Sequence, residues 1–383
     1  LKLSNCWSLL LLDPGPRVRR MAGLFKLAAV QAETEWFDVD AGIEKAVKYI
    51  EEAGCAGQQA NLIAFGECWL GGYPLYVWAG TPAFAIQFHA AFIQKASLDP
   101  DDKADAARIQ RLRDAARDNK INLVMGFNLR KGGSVWIAQL MIDSTGEIRF
   151  VRRKLKPTHA ERTVYAEGDG SDFVVEDVIG LGRVGGLNCW EHLQPQNKLV
   201  MFGLQEEIHV ASWPAFVVYN GVAYGLSAEA NMAVSKVYAL EGSCYVLAAT
   251  CIATKKYRAA LQMVVDQLQE AHAAGLAPPV ITLDMVPFDL CLTTGGGSAS
   301  IYGPDGRTLV QSLDANQEEI VYAPGSKMAI LACKATADPV GHYARPDVHT
   351  LRWNGRKNAA VESSAEQDAR GAADGVENIS GTE

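Results

Sequence analysis

The chain has 383 residues, 49% of them apolar and 21% charged, with a formal net charge of −8. That balance excludes a disordered chain and argues against a nucleic-acid binder, which is usually basic. No apolar run approaches the roughly 18 residues needed to span a bilayer, the longest being Leu9–Leu12 and Tyr245–Ala253, so no membrane partner is expected.

Residues 1–20 carry four bases (Lys2, Arg17, Arg19, Arg20) against Asp13 and precede Met21. They read as a leader or an upstream, cloning-derived segment without fold, and Asp13 with the Pro14–Pro16 break argues against an export signal. From Met21 strands and helices alternate. Lys26–Gln31 is a strand pattern, and Ala41–Ala53 places Ile43, Val47 and Ile50 on one helical face. Asn61–Gly66 is a continuous apolar strand that stops at Glu67. A loop rich in Gly, Pro and aromatics follows over Trp69–Pro82, then an amphipathic helix over Ala104–Asn119. Ile121–Leu129, Val135–Ile142 and Ile148–Lys154 read as strands, the last two joined at Ser144-Thr145-Gly146.

The second half repeats the alternation. Arg183–Leu187 is a short strand ending at Asn188-Cys189, followed by a helix over Gln194–Phe202 and a strand over Glu207–Ala211. Ala223–Glu241 reads as a long helix, Cys244–Thr250 as a strand and Ala259–Ala274 as a helix. Ser298–Tyr302 and Thr308–Gln311 form a hairpin over Gly303-Pro304-Asp305-Gly306. Without an internal linker, residues 21–330 read as one α/β domain with buried sheets. Residues 331–358 form a C-terminal extension. Residues 359–383 hold six acids and one base and read as an acidic disordered tail. Eight Cys and seven His show neither a C-x-x-C pair nor zinc spacing, so the thiols read as reduced, in the cytoplasm, with no metal site.

Ligands of open α/β folds collect at the carboxyl ends of strands. Three reactive side chains stand at such ends: Glu67, Lys154 and Cys189. Glu67 closes an apolar strand, where desolvation raises a carboxylate towards general-base range. Lys154 lies in a basic run that, alone, reads as a solvated face. Cys189 lies in Gly185-Gly186-Leu187-Asn188-Cys189-Trp190-Glu191-His192. A helix start after it and a nearby ammonium both favour the thiolate. A buried Cys acting as a small apolar residue is the plainer reading and fits Cys55, Cys244, Cys251, Cys291 and Cys333. A Cys189–His192 dyad is a third reading, weakened because two residues so close in sequence place the imidazole beside the thiol.

At these residues the sequence resembles the nitrilase superfamily, and within it the true nitrilase branch, most closely its arylacetonitrilase-type members. The motifs that carry the resemblance are Phe65-Gly66-Glu67, the run Arg152 to His159, Asn188-Cys189-Trp190-Glu191-His192-Leu193-Gln194-Pro195, Gly72-Tyr73-Pro74, Ala211-Ser212-Trp213-Pro214 and Gly341 to Asp347. It extends from about Met21 to Val348. Two stretches depart from the pattern: Leu75–Gly80, beside the pocket, and 255–290, at its far wall.

The resemblance implies a four-layer αββα sandwich and a Glu67–Lys154–Cys189 triad, with Glu161 helping to hold the lysine and the substrate. It implies hydrolysis of a nitrile by water to a carboxylic acid and ammonia through thioimidate and acyl-thioester intermediates, with no metal or organic cofactor. Cyanide hydration or dihydration, aliphatic nitrile hydrolysis and amide hydrolysis by the same triad are the alternatives. Tyr73, Trp190, His192 and Trp213 are the candidate walls of an aromatic pocket suited to arylaliphatic nitriles. Homodimers extending into spiral homo-oligomers, helped by the C-terminal segment, are also implied.

Overall fold

The computed structural model describes residues 23–358. Its strands run in one hydrogen-bonded path that divides into two halves. The first holds β1 (Leu24–Glu33), β2 (Leu62–Ala64), β3 (Asn122–Lys131), β4 (Ser134–Ile142) and β5 (Ile148–Arg153), side by side in the order β5-β4-β3-β2-β1. The second holds β6 (Val175–Val178), β7 (Gly182–Asn188), β8 (Ile208–Trp213), β9 (Tyr245–Ile252), β10 (Ser300–Tyr302) and β11 (Thr308–Gln311), again in chain order. β12 (Glu319–Ser326) returns to the first half, antiparallel to β1 from Leu24 to Gln31. The halves touch edge to edge only where Gln31–Glu33 pair with Thr250–Ile252.

Strand alternation builds the layers, because successive side chains point to opposite faces. Leu27 and Ala29 of β1 meet Ile208 and Val210 of β8 and Leu247 and Ala249 of β9 in a core between the two halves. The other faces meet helices. Ala28, Val30 and Ala32 pack under α1 (Val39–Gly54), α2 (Pro82–Lys95), α3 (Lys103–Asp118) and α6 (Lys255–Ala273). Ala211, Trp213, Val246 and Ala248 pack under α4 (Pro195–Gly203) and α5 (Ala228–Gly242). Three cores separate four layers: the expected αββα sandwich.

The helices begin where short polar side chains can accept orphan backbone N–H groups. Asp38, Asp102, Ser227 and Thr254 do so for α1, α3, α5 and α6. This shortens the expected helix 223–241, since Ser227 caps it and Tyr224–Leu226 is a separate 3-10 turn. It also moves the start of the helix expected at 259 back to Lys255. α2, β6, β12 and α7 (Lys327–Ala337) were not anticipated. β12 contains Pro324 and Gly325, strand-breaking residues tolerated here because the strand pairs along its length with β1 alone. α7 runs across residue 330, so the expected boundary there falls inside a helix. The expectations for 1–20 and 359–383 lie outside the described residues. Among the described residues no helix is long and apolar enough to cross a membrane.

Candidate active site

Glu67, Lys154, Glu161 and Cys189 converge at one end of the sandwich, each delivered by backbone just beyond or beside a strand. Glu67 follows β2, its N–H bonded to Trp213 O at 3.0 Å. Lys154 follows β5, with its N–H on Ile137 O at 2.7 Å. Glu161 lies in a 3-10 turn, His159–Thr163, and its Oε2 accepts from the Thr158 N–H at 2.5 Å. Cys189 follows β7 and opens another 3-10 turn with a left-handed φ of 47°. For a residue with a side chain that conformation is strained, and strain of this kind concentrates at functional sites.

The ammonium of Lys154 stands between two carboxylates, 2.9 Å from Glu67 Oε1 and 2.8 Å from Glu161 Oε2. All three side chains are shut off from solvent. Tyr73 O–H donates to Glu161 Oε1 at 2.7 Å and accepts from Trp78 Nε1 at 3.0 Å. Ligating atoms of Glu67, Glu161 and Cys189 lie within 4.8 Å of one another. The lysine nitrogen already bonds both carboxylates, in the place a metal cation would compete for.

Burial raises Glu67 far above the usual carboxylate range, with the Lys154 charge opposing and Glu161 adding to the rise. Burial alone would lower Lys154, but Glu161 and Glu67 more than offset it and hold the ammonium charged. Burial, then the Glu67 charge, pushes the Cys189 thiol well up, against Lys154 and the Trp190 backbone hydrogen bond. Desolvation outweighs the nearby cation and the turn's N–H group, the two influences expected to favour the thiolate, so the resting sulfur keeps its proton. A protonated thiol with an adjacent high-pKa carboxylate is an arrangement for proton transfer on attack.

Of the expected pocket walls, Tyr73 and Trp190 line the cavity above Cys189. His192 and Trp213 do not. His192 is fully buried behind the nucleophile, its ring stacked on Trp213 at 5.1 Å, and Trp213 Nε1 donates to Ser235 of α5. His192 Nδ1 faces the Cys189 carbonyl oxygen at 2.6 Å, so the two form no thiol–imidazole dyad. The remaining walls are the apolar Trp78, Pro214, Ala215, Phe216, Val218 and Leu226 and the polar Thr158, Glu161 and Asn231. Trp78 belongs to the divergent Leu75–Gly80 segment, whose 3-10 turn buries Leu75 and Tyr76. The far wall comes from 214–231 and leaves 255–290 to α6 and its packing on the outer core. Among the other cysteines, Cys244, Cys251 and Cys291 are buried as expected, whereas Cys55 is exposed and Cys333 half-buried.

A family profile described as carbon–nitrogen hydrolase matches residues 26–326. An aliphatic nitrilase of Rhodococcus rhodochrous is 42% identical over 348 residues, covering 90% of this chain and 82% of that protein. A nitrilase of Alcaligenes faecalis described as arylacetone-specific is 40% identical, with 86% and 84% covered. An arylacetonitrilase of Aspergillus niger is 37% identical, with 86% and 88% covered. Among solved structures, a carbon–nitrogen hydrolase from Helicobacter pylori superposes with a TM-score of 0.63 over 85% of this chain and 96% of its own, at 15% identity, a likeness of fold alone. The chain belongs to the carbon–nitrogen hydrolase family, in its nitrilase branch.

Proposed function

We propose that the protein hydrolyses a neutral, arylaliphatic nitrile to its carboxylic acid and ammonia. The observation that carries the reading is the buried thiol within reach of two carboxylates bridged by one ammonium. Glu67 takes the proton of Cys189 as the sulfur adds to the nitrile carbon. Lys154 and the Trp190 N–H stabilise negative charge developing on the nitrile nitrogen, which is protonated to give a thioimidate. Glu67 then helps a first water to add to the thioimidate carbon, and ammonia leaves an acyl-thioester. A second water releases the acid and restores the thiol. Glu161 holds Lys154 in place and is itself held by Tyr73. Aromatic and aliphatic walls (Tyr73, Trp78, Trp190, Phe216, Val218) favour an apolar substituent, and a neutral substrate needs no charged partner there.

The same reading includes cytoplasmic homodimers that extend to spiral homo-oligomers. An apolar groove between α4 and Pro339–Trp353, with Leu199, Val200 and Tyr343 among its walls, supports contact between copies through the C-terminal segment.

The test is ammonia and acid release from a panel of matched nitriles and amides, for the native protein and Cys189→Ala. Phenylacetonitrile-type compounds are the preferred substrates, and Cys189→Ala releases nothing. Ammonia from amides alone, or activity that survives the substitution, refutes the reading.

A further inference from the structure

Behind the nucleophile, on the side of β8 that faces α5, four buried polar side chains form a continuous hydrogen-bonded chain that the mechanism above does not use. His192 Nδ1 lies 2.6 Å from Cys189 O and His192 Nε2 lies 2.8 Å from His209 Nε2. His209 Nδ1 lies 2.8 Å from Glu206 Oε1, and Tyr238 O–H donates to Glu206 Oε2 at 2.6 Å. None of the four is more than 1% exposed. The rings are clamped as well: His209 stacks on Tyr238 at 3.9 Å, and His192 on Trp213.

The carbonyl end sets the direction of every bond. A carbonyl oxygen only accepts, so His192 Nδ1 carries a hydrogen. Burial and the facing His209 hold His192 neutral, down at about 3, so its Nε2 has only a lone pair and His209 Nε2 must donate. A neutral His209 then presents a bare Nδ1, and the proton between it and Glu206 Oε1 comes from a protonated carboxyl group. Burial supports that state by raising Glu206 to about 8. The chain reads, donor to acceptor, Glu206 to His209 to His192 to the carbonyl of Cys189, with Tyr238 donating to the remaining Glu206 oxygen.

We propose that this chain is a positioning device for the nucleophile, with Glu206, His209 and Tyr238 acting through His192. It grips the carbonyl of the one residue of the site that combines a strained left-handed backbone with the attacking atom. It thereby keeps Sγ aimed at the cavity. The inference rests on the proposed role of Cys189, and its directionality makes a specific demand: residue 206 must donate to His209 and accept from Tyr238. A glutamine does both, with its amide nitrogen towards His209, whereas a leucine does neither.

The experiment compares steady-state nitrile hydrolysis with the rate of Cys189 alkylation by iodoacetamide, read by peptide mass spectrometry. The second readout reports thiol placement whatever the substrate, so failure of the nitrilase reading is distinguishable from failure of this one. Glu206→Gln stays within about threefold of the native kcat, while Glu206→Leu and His192→Leu lose about 100-fold at little-changed KM, the scale of a misplaced reacting group. Alkylation slows in the same order. Where the leucine variants do not fold, His192→Asn and His192→Gln decide. Asn puts its N–H where Nδ1 stood and keeps the bond to the carbonyl, while Gln reaches only the Nε2 position. Asn keeps more activity than Gln but less than the native protein, because it no longer reaches His209, and Gln loses about 100-fold by the same reasoning. Equal activities for Asn and Gln, native activity in His192→Leu, or an equal loss in Glu206→Gln and Glu206→Leu overturns the proposal.

Discussion

Arg152 and Glu191 meet as a two-pronged ion pair, Nη1 to Oε2 at 2.8 Å and Nη2 to Oε1 at 2.7 Å, with both side chains closed to solvent. The same carboxylate accepts from the N–H of Leu155 at 2.9 Å and of Asn188 at 2.7 Å. Those residues adjoin Lys154 and Cys189, so one side chain ties the lysine strand end to the cysteine strand end. Burial would raise Glu191, but Arg152 and the two backbone donors hold it below its ordinary value, ionised. Removing one partner of such a pair strands a buried charge, at about 3–5 kcal/mol. Glu191→Ala is therefore expected to lower unfolding stability by that amount, measured in urea. The Arg152→Ala/Glu191→Ala double variant loses less than the two single losses added. A Glu191→Ala loss below about 1 kcal/mol would mean that the pair contributes no more than a surface bridge.

Tyr73 carries a shorter chain of the same kind on the cavity side, from Trp78 Nε1 through its hydroxyl to Glu161. Tyr73→Phe leaves a buried donor and a buried acceptor unpaired, which destabilises by about 1–3 kcal/mol. It also frees Glu161 to shift beneath Lys154. The expected kinetic signature is a kcat lower by about tenfold with a smaller change in KM. A kcat equal to that of the native protein would show that Thr158 and Lys154 alone hold Glu161.

The three reactive strand ends were legible because each directly follows a run of strand-forming residues. The burial of Lys154 was not, since Arg152 to Lys156 looks like a solvated basic face. Strand alternation sends Arg152 and Lys154 inward, while Lys156, beyond the end of β5, stays exposed. The inward charges are tolerable only because Glu67 and Glu191 arrive from distant segments and Glu161 from the turn that follows. Local pattern cannot show that. The depth of burial at Cys189 was hidden for a related reason: the turn after it is visible in sequence, but the burial that outweighs the turn is a tertiary property. Phe216 and Val218 escaped notice because they lie in irregular chain with no period to mark an inward face, and Leu226 because its segment read as the start of a long helix. The hairpin of β10 and β11, by contrast, was legible from its Gly-Pro-Asp-Gly turn, closed by Gly303 N–H to Arg307 O at 2.9 Å.

Glu67 also depends on empty space beside it. A Cβ added to Gly126 of β3 would lie 1.9 Å from Gly66 O and 3.0 Å from Cys68 N, the backbone on either side of Glu67. Backbone cannot swing aside as the end of a side chain can. Gly126→Ala is expected to destabilise by about 3 kcal/mol or more, the upper end for overpacking. The fraction that folds should have a kcat reduced about 100-fold by displacement of the carboxylate. Thermal unfolding and kinetics normalised to folded protein check both. A variant with native Tm shows that the β2–β3 spacing yields.

Glu206 gives the clearest pH signature. Its folded-state value of about 8 lies above the ordinary 4.5, raised by burial and only partly drawn back by the Tyr238 hydroxyl and the charges of Lys334 and Arg152. Between those two values the folded protein holds a proton that the unfolded chain has released. Stability from this group is therefore complete below pH 4.5, declines as pH rises, and is gone above about pH 8. The slope is about 1.4 kcal/mol per pH unit. Other groups contribute slopes of their own, so the informative quantity is a difference. Glu206→Gln keeps the hydrogen-bonding shape and has no proton to lose. Its stability relative to the native protein should climb with pH at the same slope of about 1.4 kcal/mol per unit through the window and level off beyond it. Urea unfolding of both proteins at several pH values across the window measures the gap. A gap independent of pH would show that Glu206 is ionised throughout the window and that the folded pair holds no extra proton.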